Sequence, residues 1–328
     1  MIGARRRVGA AKARQVGKAL IARGGWVFLV NDTHDFLSWQ FGLKRWARSE
    51  RDRVAATLAE RQRLIGSAPY LMFISPEKSV AYREYLPLGL DRLTLSRHRP
   101  AILMTAMAPK AVRYVAEVFE RLKRFGLLYF RGDTHVNWLG AYHLYRIAIE
   151  AVREAGIATH PPKTYGEMRS WIAGMEGDVY VQIDDAQKDE FEAEAKLGRA
   201  RGTMLELTIA LSVRDDEVKA RTVEVPQDYV EVFDGRELII KEQDDKSLPT
   251  AVVFRDSTAT LSIDFLAEHF SRSVYVWHEG DVVADFIERE RPDVVLHFVA
   301  ERFLAVYPAT QPLSRLPRIP SWRVLGKA

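Results

Sequence analysis

Short apolar runs, each closed by turn residues and followed by a segment whose apolar positions recur every three or four residues, set the rhythm of this 328-residue chain. The runs at 26–30, 70–74, 127–130, 251–254, 273–277 and 293–298 read as strands, and 101–106 is a further apolar run. Helices are expected at 44–65, at 109–124 with a proline at its start, and at 139–155, 260–270 and 282–290. Strands separated by helices in this order predict an α/β fold with a mostly parallel sheet covered on both faces. The middle of the chain departs from that pattern. Residues 178–183 read as a strand and 188–197 as an exposed helix. The stretches 203–213, 220–225 and 229–233 alternate apolar with polar, and Asp234-Gly235 is a strong hairpin signal. Residues 203–241 are therefore expected to form a small antiparallel β insertion, shaping a cleft or serving only as an ornament.

Composition sharpens the boundaries. Hydrophobic residues make up 47% of the chain, ample for a large core. The net charge of +4 invites a nucleic-acid reading, but its distribution argues against one. Residues 1–23 carry seven basic and no acidic side chains, and 311–328 four more basic ones, leaving 37 basic against 44 acidic residues in the body. The expected organisation is thus a flexible basic leader (1–23), one folded domain (24–310), and an extended proline-containing tail (311–328). There is no cysteine, which removes disulfides and thiolate chemistry. No apolar run is long enough to span a bilayer, and the N-terminal stretch lacks the apolar core of a signal peptide.

The chemistry concentrates at two breaks in the pattern. In Val252-Val253-Phe254-Arg255-Asp256-Ser257 an apolar run ends abruptly before an amphipathic segment, so Ser257 falls on a strand-to-helix turn. Such an elbow exposes a serine hydroxyl beside helix N–H groups that lack intrahelical partners, although capping the helix is the commoner use of residues such as Asp256 and Ser257. In Leu128-Tyr129-Phe130-Arg131-Gly132-Asp133-Thr134-His135 a second run breaks at a glycine and presents an acid and an imidazole two residues apart. Residues i and i+2 of an extended segment face the same way, so Asp133 and His135 can share a pocket. Acid, base and serine are the parts of a nucleophilic triad. Asp32-Thr33-His34 repeats the acid-base triplet, and chemistry alone does not choose between the two. The eight histidines form no close pair with zinc-site spacing, and no Gly-rich loop matches a nucleotide fingerprint, so neither metal nor cofactor is expected.

These segments, together with Gly25-Trp26-Val27-Phe28-Leu29-Val30-Asn31-Asp32, Pro76-Glu77-Lys78-Ser79, Phe265-Leu266-Ala267-Glu268-His269-Phe270 and Glu301-Arg302-Phe303-Leu304, resemble the SGNH-hydrolase-like domain of the alginate O-acetyltransferase family. The motifs follow the family's order over roughly residues 24–305. The resemblance implies an SGNH-hydrolase-like three-layer α/β/α fold and assigns catalysis to Asp133, His135 and Ser257, favouring the later triplet over Asp32-Thr33-His34. It implies O-acetylation of an exopolysaccharide, with a polysaccharide or oligosaccharide acceptor and a membrane-bound O-acyltransferase as partner. An acetylesterase of the same fold and a non-catalytic glycan-binding or assembly subunit are the alternatives. Arg255, Asn31, Thr258 and Lys78 are further candidates for substrate or oxyanion contact, against plainer readings of Arg255 as a salt bridge, Asn31 as a turn residue and Lys78 as a solvated lysine. Two positions depart from the pattern. Arg255 stands where the wider superfamily has glycine, and Val136 where the family more often has tryptophan. The family implies a periplasmic or extracytoplasmic location; without an export segment in the chain, a cytoplasmic one stays open.

Overall fold

The computed structural model describes residues 14–30, 34–179, 205–233, 236–277 and 282–306. Its strands are β1 Arg14–Val16, β2 Ala19–Ile21, β3 Val27–Leu29, β4 Tyr70–Ser75, β5 Val112–Tyr114, β6 Met168–Glu176, β7 Leu205–Val213, β8 Arg221–Val223, β9 Leu238–Glu242, β10 Thr250–Arg255, β11 Arg272–Trp277 and β12 Val294–Ala300. Its α-helices are α1 Phe36–Gln40, α2 Arg48–Ile65, α3 Lys78–Ala81, α4 Pro100–Met107, α5 Ala116–Leu122, α6 Trp138–Glu154, α7 Gln227–Val232, α8 Ile263–Ala267 and α9 Ala284–Glu290.

The central sheet has seven strands in the order β5-β4-β12-β10-β11-β9-β8. The first five are parallel, whereas β9 pairs antiparallel with β11 and β8 antiparallel with β9. The sheet is therefore mixed, which corrects the mostly parallel expectation. The near-continuous apolar runs of β4, β10 and β12 are what a strand buried on both faces requires. Alternate residues of these strands enter two separate cores. Leu71, Phe73, Val253, Leu296 and Phe298 pack with α5 and α6 on one face, and Met72, Ile74, Val252, Phe254 and Val295 with α2, α4 and α9 on the other. Helix α6 earns its place by spacing: Ala141, Tyr142, Leu144, Tyr145, Ala148, Ile149 and Val152 recur every three or four residues and are all buried.

Several expectations fail for local reasons. The apolar run 101–106 lies in helix α4, begun by Pro100, and the neighbouring strand is the short β5 inside the segment read as a helix. Residues 229–233 belong largely to α7, so their alternation marks one face of a short helix against Phe286. The apolar run 127–130 makes no sheet strand; it opens a hairpin-like loop closed by one bridge, Tyr129 to Val136. The expected insertion is divided. β7 pairs with β6 in a separate two-stranded ribbon, while β8 and β9 extend the central sheet. The leader reading ends before residue 14, because β1 and β2 form a small antiparallel sheet with β3. Asp178 sits in a turn just after β6. Asn31, the hairpin turn 234–235, the rest of the 178–183 strand, the helix 188–197 and the tail 311–328 lie outside the described residues.

Candidate active site

At the carboxyl end of the parallel strands, where ligands gather in open α/β sheets, β10 runs directly into a 3-10 turn, Ser257–Ser262. Asp256 builds this elbow: one carboxylate oxygen accepts the Thr258 N–H at 2.7 Å and the other the Ala300 N–H at 2.6 Å. Asp256 thus acts as the cap and ties the turn to the end of β12, leaving the Ser257 hydroxyl outside the capping bonds. Arg255 is fully buried. Its guanidinium binds Glu237 at 2.6 Å and Thr260 Oγ1 at 3.1 Å and lies over Trp277, so it braces the elbow from behind. The salt-bridge reading holds for it; burial pulls its pKa down, with Glu237 opposing.

The loop 127–137 approaches the elbow from α6. The Leu128 N–H donates to the Tyr82 hydroxyl at 2.8 Å, and Asn137 caps α6 by accepting from Gly140 N at 3.0 Å. At Gly140 a side chain could enter only if the loop backbone moved, since a Cβ there would lie 2.1 Å from the Leu128 carbonyl oxygen. Lys78 has a role different from the one expected. It is buried, and its Nζ donates to the carbonyls of Phe130 (3.2 Å), Arg131 (2.8 Å) and Asp133 (2.6 Å). The lysine therefore clamps the loop backbone instead of meeting solvent or substrate.

These elements bring the three candidate residues into series. His135 Nε2 lies 2.7 Å from Ser257 Oγ, and His135 Nδ1 lies 2.6 Å from Asp133 Oδ1. Asp133 is buried and His135 and Ser257 are half-buried. His34 of the earlier triplet packs edge-on against Phe303 at 5.0 Å between ring centres. Burial raises the Asp133 pKa, but the charge of His135 and its hydrogen bonds win and hold it at about 2. Burial depresses His135, yet the Asp133 charge and hydrogen bond, with Asp178 behind them, leave it raised. The Thr258 N–H is already engaged by Asp256, so it is no free oxyanion donor.

The sequence reading missed Asp178. Its carboxylate accepts from Thr134 N at 2.7 Å and Thr134 Oγ1 at 2.5 Å, and its own N–H donates to Asp133 Oδ2 at 2.9 Å. The donor atoms of Asp133, His135 and Asp178 lie within 4.8 Å of one another, a spacing a cation could bridge. The ring and the Asp133 carboxylate are already joined by a hydrogen bond, and both Asp178 oxygens are taken by Thr134, which suits proton handling better than metal ligation. No local signal in the sequence marks it, because its contacts depend on where β6 ends.

No family model matches the chain, and no curated protein matches it. Solved structures do. A DHHW family protein from Eubacterium siraeum shares 16% identity at a TM-score of 0.58, over 90% of this chain and 94% of that one. Bacillus cereus PatB1 carrying a sulfonyl adduct shares 15% identity at a TM-score of 0.61, over 88% and 96%. The O-acetyltransferase domain of Pseudomonas putida AlgJ shares 16% identity at a TM-score of 0.53, over 91% and 95%. The chain has the alginate O-acetyltransferase-like fold. At these identities the likeness is one of architecture, and it spans almost the whole length of each neighbour.

Proposed function

We propose that this protein is a serine-dependent O-acyltransferase that moves acetyl groups to hydroxyls of an exopolysaccharide through an acyl-Ser257 intermediate. The single observation that carries the reading is the chain of two hydrogen bonds, 2.7 and 2.6 Å, that links Ser257, His135 and Asp133. In the first half-reaction His135 Nε2 takes the proton of Ser257 as Oγ attacks the acetyl carbonyl carbon. Asp133 keeps Nδ1 protonated and stabilises the imidazolium. The bond to the donor's leaving oxygen breaks, and that oxygen takes the proton from His135. In the second half a sugar hydroxyl gives its proton to His135 and attacks the acyl carbon; the bond to Ser257 Oγ breaks, and Oγ takes the proton back from His135. The backbone N–H of Ser257, first in its turn, is the donor available to the developing oxyanion, since that of Thr258 is engaged. The O-acetyltransferase domain among the fold neighbours supports an acetyl group as the cargo. By the family resemblance the acetyl donor would come from a membrane-bound O-acyltransferase, and the acceptor would be an extracytoplasmic polysaccharide.

The test is turnover of an activated acetyl ester with and without an oligosaccharide acceptor. Wild-type protein is expected to release the ester's alcohol and yield acetylated sugar, and Ser257→Ala to lose at least about 10³-fold of that turnover. Acetate release that ignores the sugar would identify a hydrolase. Turnover unchanged in Ser257→Ala would overturn the catalytic reading in favour of a glycan-binding subunit.

A further inference from the structure

The acid of the triad is held by a second acid. Asp133 Oδ1 accepts both the His135 N–H (2.8 Å) and the ring Nδ1–H (2.6 Å), and Oδ2 accepts the Asp178 N–H (2.9 Å). Asp178 answers by gripping the residue between acid and base: Oδ1 takes the Thr134 N–H (2.7 Å), and Oδ2 the Thr134 hydroxyl (2.5 Å). The same Oδ2 lies 3.8 Å from His135 Nδ1. The approach is tight. A Cβ at Gly177 would lie 2.0 Å from the Gly132 carbonyl oxygen, and the Val179 N–H donates to that oxygen at 3.2 Å. The segment after β6 is thus seated on the acid-base loop by hydrogen bonds to Gly132, Asp133 and Thr134, with no room for a side chain at the point of contact unless the backbone moves.

We infer that Asp178 is a positioning residue of the acid-base pair, fixing Thr134 between Asp133 and His135 and supplying the second negative charge that makes His135 a stronger base. This rests on the proposed role of His135. Two carboxylates beside one imidazole repel each other while it is neutral and are both relieved when it is protonated. The arrangement therefore favours the imidazolium, the state formed as Ser257 attacks. Burial and then Asp133 push the Asp178 pKa up, but both its oxygens accept hydrogen bonds, as those of a carboxylate do. Other charges face the cluster from every side. Lys78 of α3 holds the loop carbonyls, and Arg302 beyond β12 pairs with Glu77 at 2.9 Å. Glu206 of β7 accepts from Arg131 N at 2.6 Å, and Asp256 lies behind Ser257. Asp178 acts on two of these as well, since its charge helps to keep Lys78 and Arg302 protonated.

The experiment follows the ring resonances of His135 through a pH titration of the whole chain, labelled in histidine and assigned with His135→Gln, in wild type, Asp178→Asn and Asp178→Glu. In Asp178→Asn the His135 midpoint is expected to fall by about one pH unit. The acidic limb of kcat/KM for an activated acetyl ester should move with it, and kcat should fall about tenfold with KM unchanged. Asp178→Glu, which keeps the charge, should hold the midpoint near the wild-type value. A midpoint unmoved in Asp178→Asn, or lowered equally by Glu, would reduce Asp178 to a structural bond and overturn the inference. Should only Asp178→Asn fold, an unmoved midpoint still overturns the inference; should only Asp178→Glu fold, a lowered midpoint does. The titration reads His135 directly, so it stands even if Ser257 proves not to be acylated.

Discussion

At the scale of single residues, Asp133, His135 and Ser257 were legible because each sits at an abrupt end of an apolar run, a feature of local sequence. Lys78, Arg255 and Asp178 were not, since what each does depends on tertiary partners. Lys78 stands near the start of α3 and serves carbonyls more than fifty positions away. Arg255 meets Glu237 across two strand ends, and Asp178 meets Thr134 only because β6 ends on the loop. The raised pKa of His135 makes a prediction at this scale. The base must be neutral to accept the Ser257 proton, so kcat/KM should climb with pH along a limb whose midpoint lies above the ordinary imidazole value of about 6.5. Asp133→Asn should lower kcat by roughly 10³ to 10⁴ and carry the midpoint downward. A wild-type limb at or below about 6.5 would contradict the proposed electrostatics, and a pH-rate series measures it directly.

At the scale of elements, the sequence was most readable where a strand is buried on both faces, as in β4, β10 and β12, and least where a short apolar segment had two uses. Residues 101–106 are rich in alanine, leucine and methionine with a proline just before them, which suits a helix start better than a strand. Residues 127–130 look like a strand but find only the single bridge to Val136, because their backbone groups serve Tyr82, Asn137 and Lys78 instead. That loop depends on its clamps. Gly177→Ala should leave the circular-dichroism spectrum intact and cost at least about 10²-fold in kcat, because the added methyl group forces the acid-base loop to shift. Burial holds the Lys78 ammonium down to about 8. Above that pH the neutral amine offers two protons to three carbonyls, so an alkaline limb is expected near pH 8 and should vanish from the residual activity of Lys78→Met.

At the scale of the molecule, the alternation of strands and helices gave the three-layer arrangement, while the antiparallel edge β9-β8 and the separate β6-β7 ribbon emerged only from long-range pairing. No described helix is long and apolar enough to cross a membrane. The sheet places the elbow after β10 beside the segment after β12, and the α6 side of the sheet delivers the loop that meets it, so the site is a property of the whole architecture. Its central claim is that Ser257 carries the acyl group. The most direct measurement is peptide mapping by mass spectrometry after brief reaction with an activated acetyl ester and acid quench. The account predicts one acetyl group on the peptide containing Ser257, absent in His135→Ala and discharged when oligosaccharide is added before the quench. An acetyl group found elsewhere, or none while turnover proceeds through a Ser257→Ala protein, would contradict it.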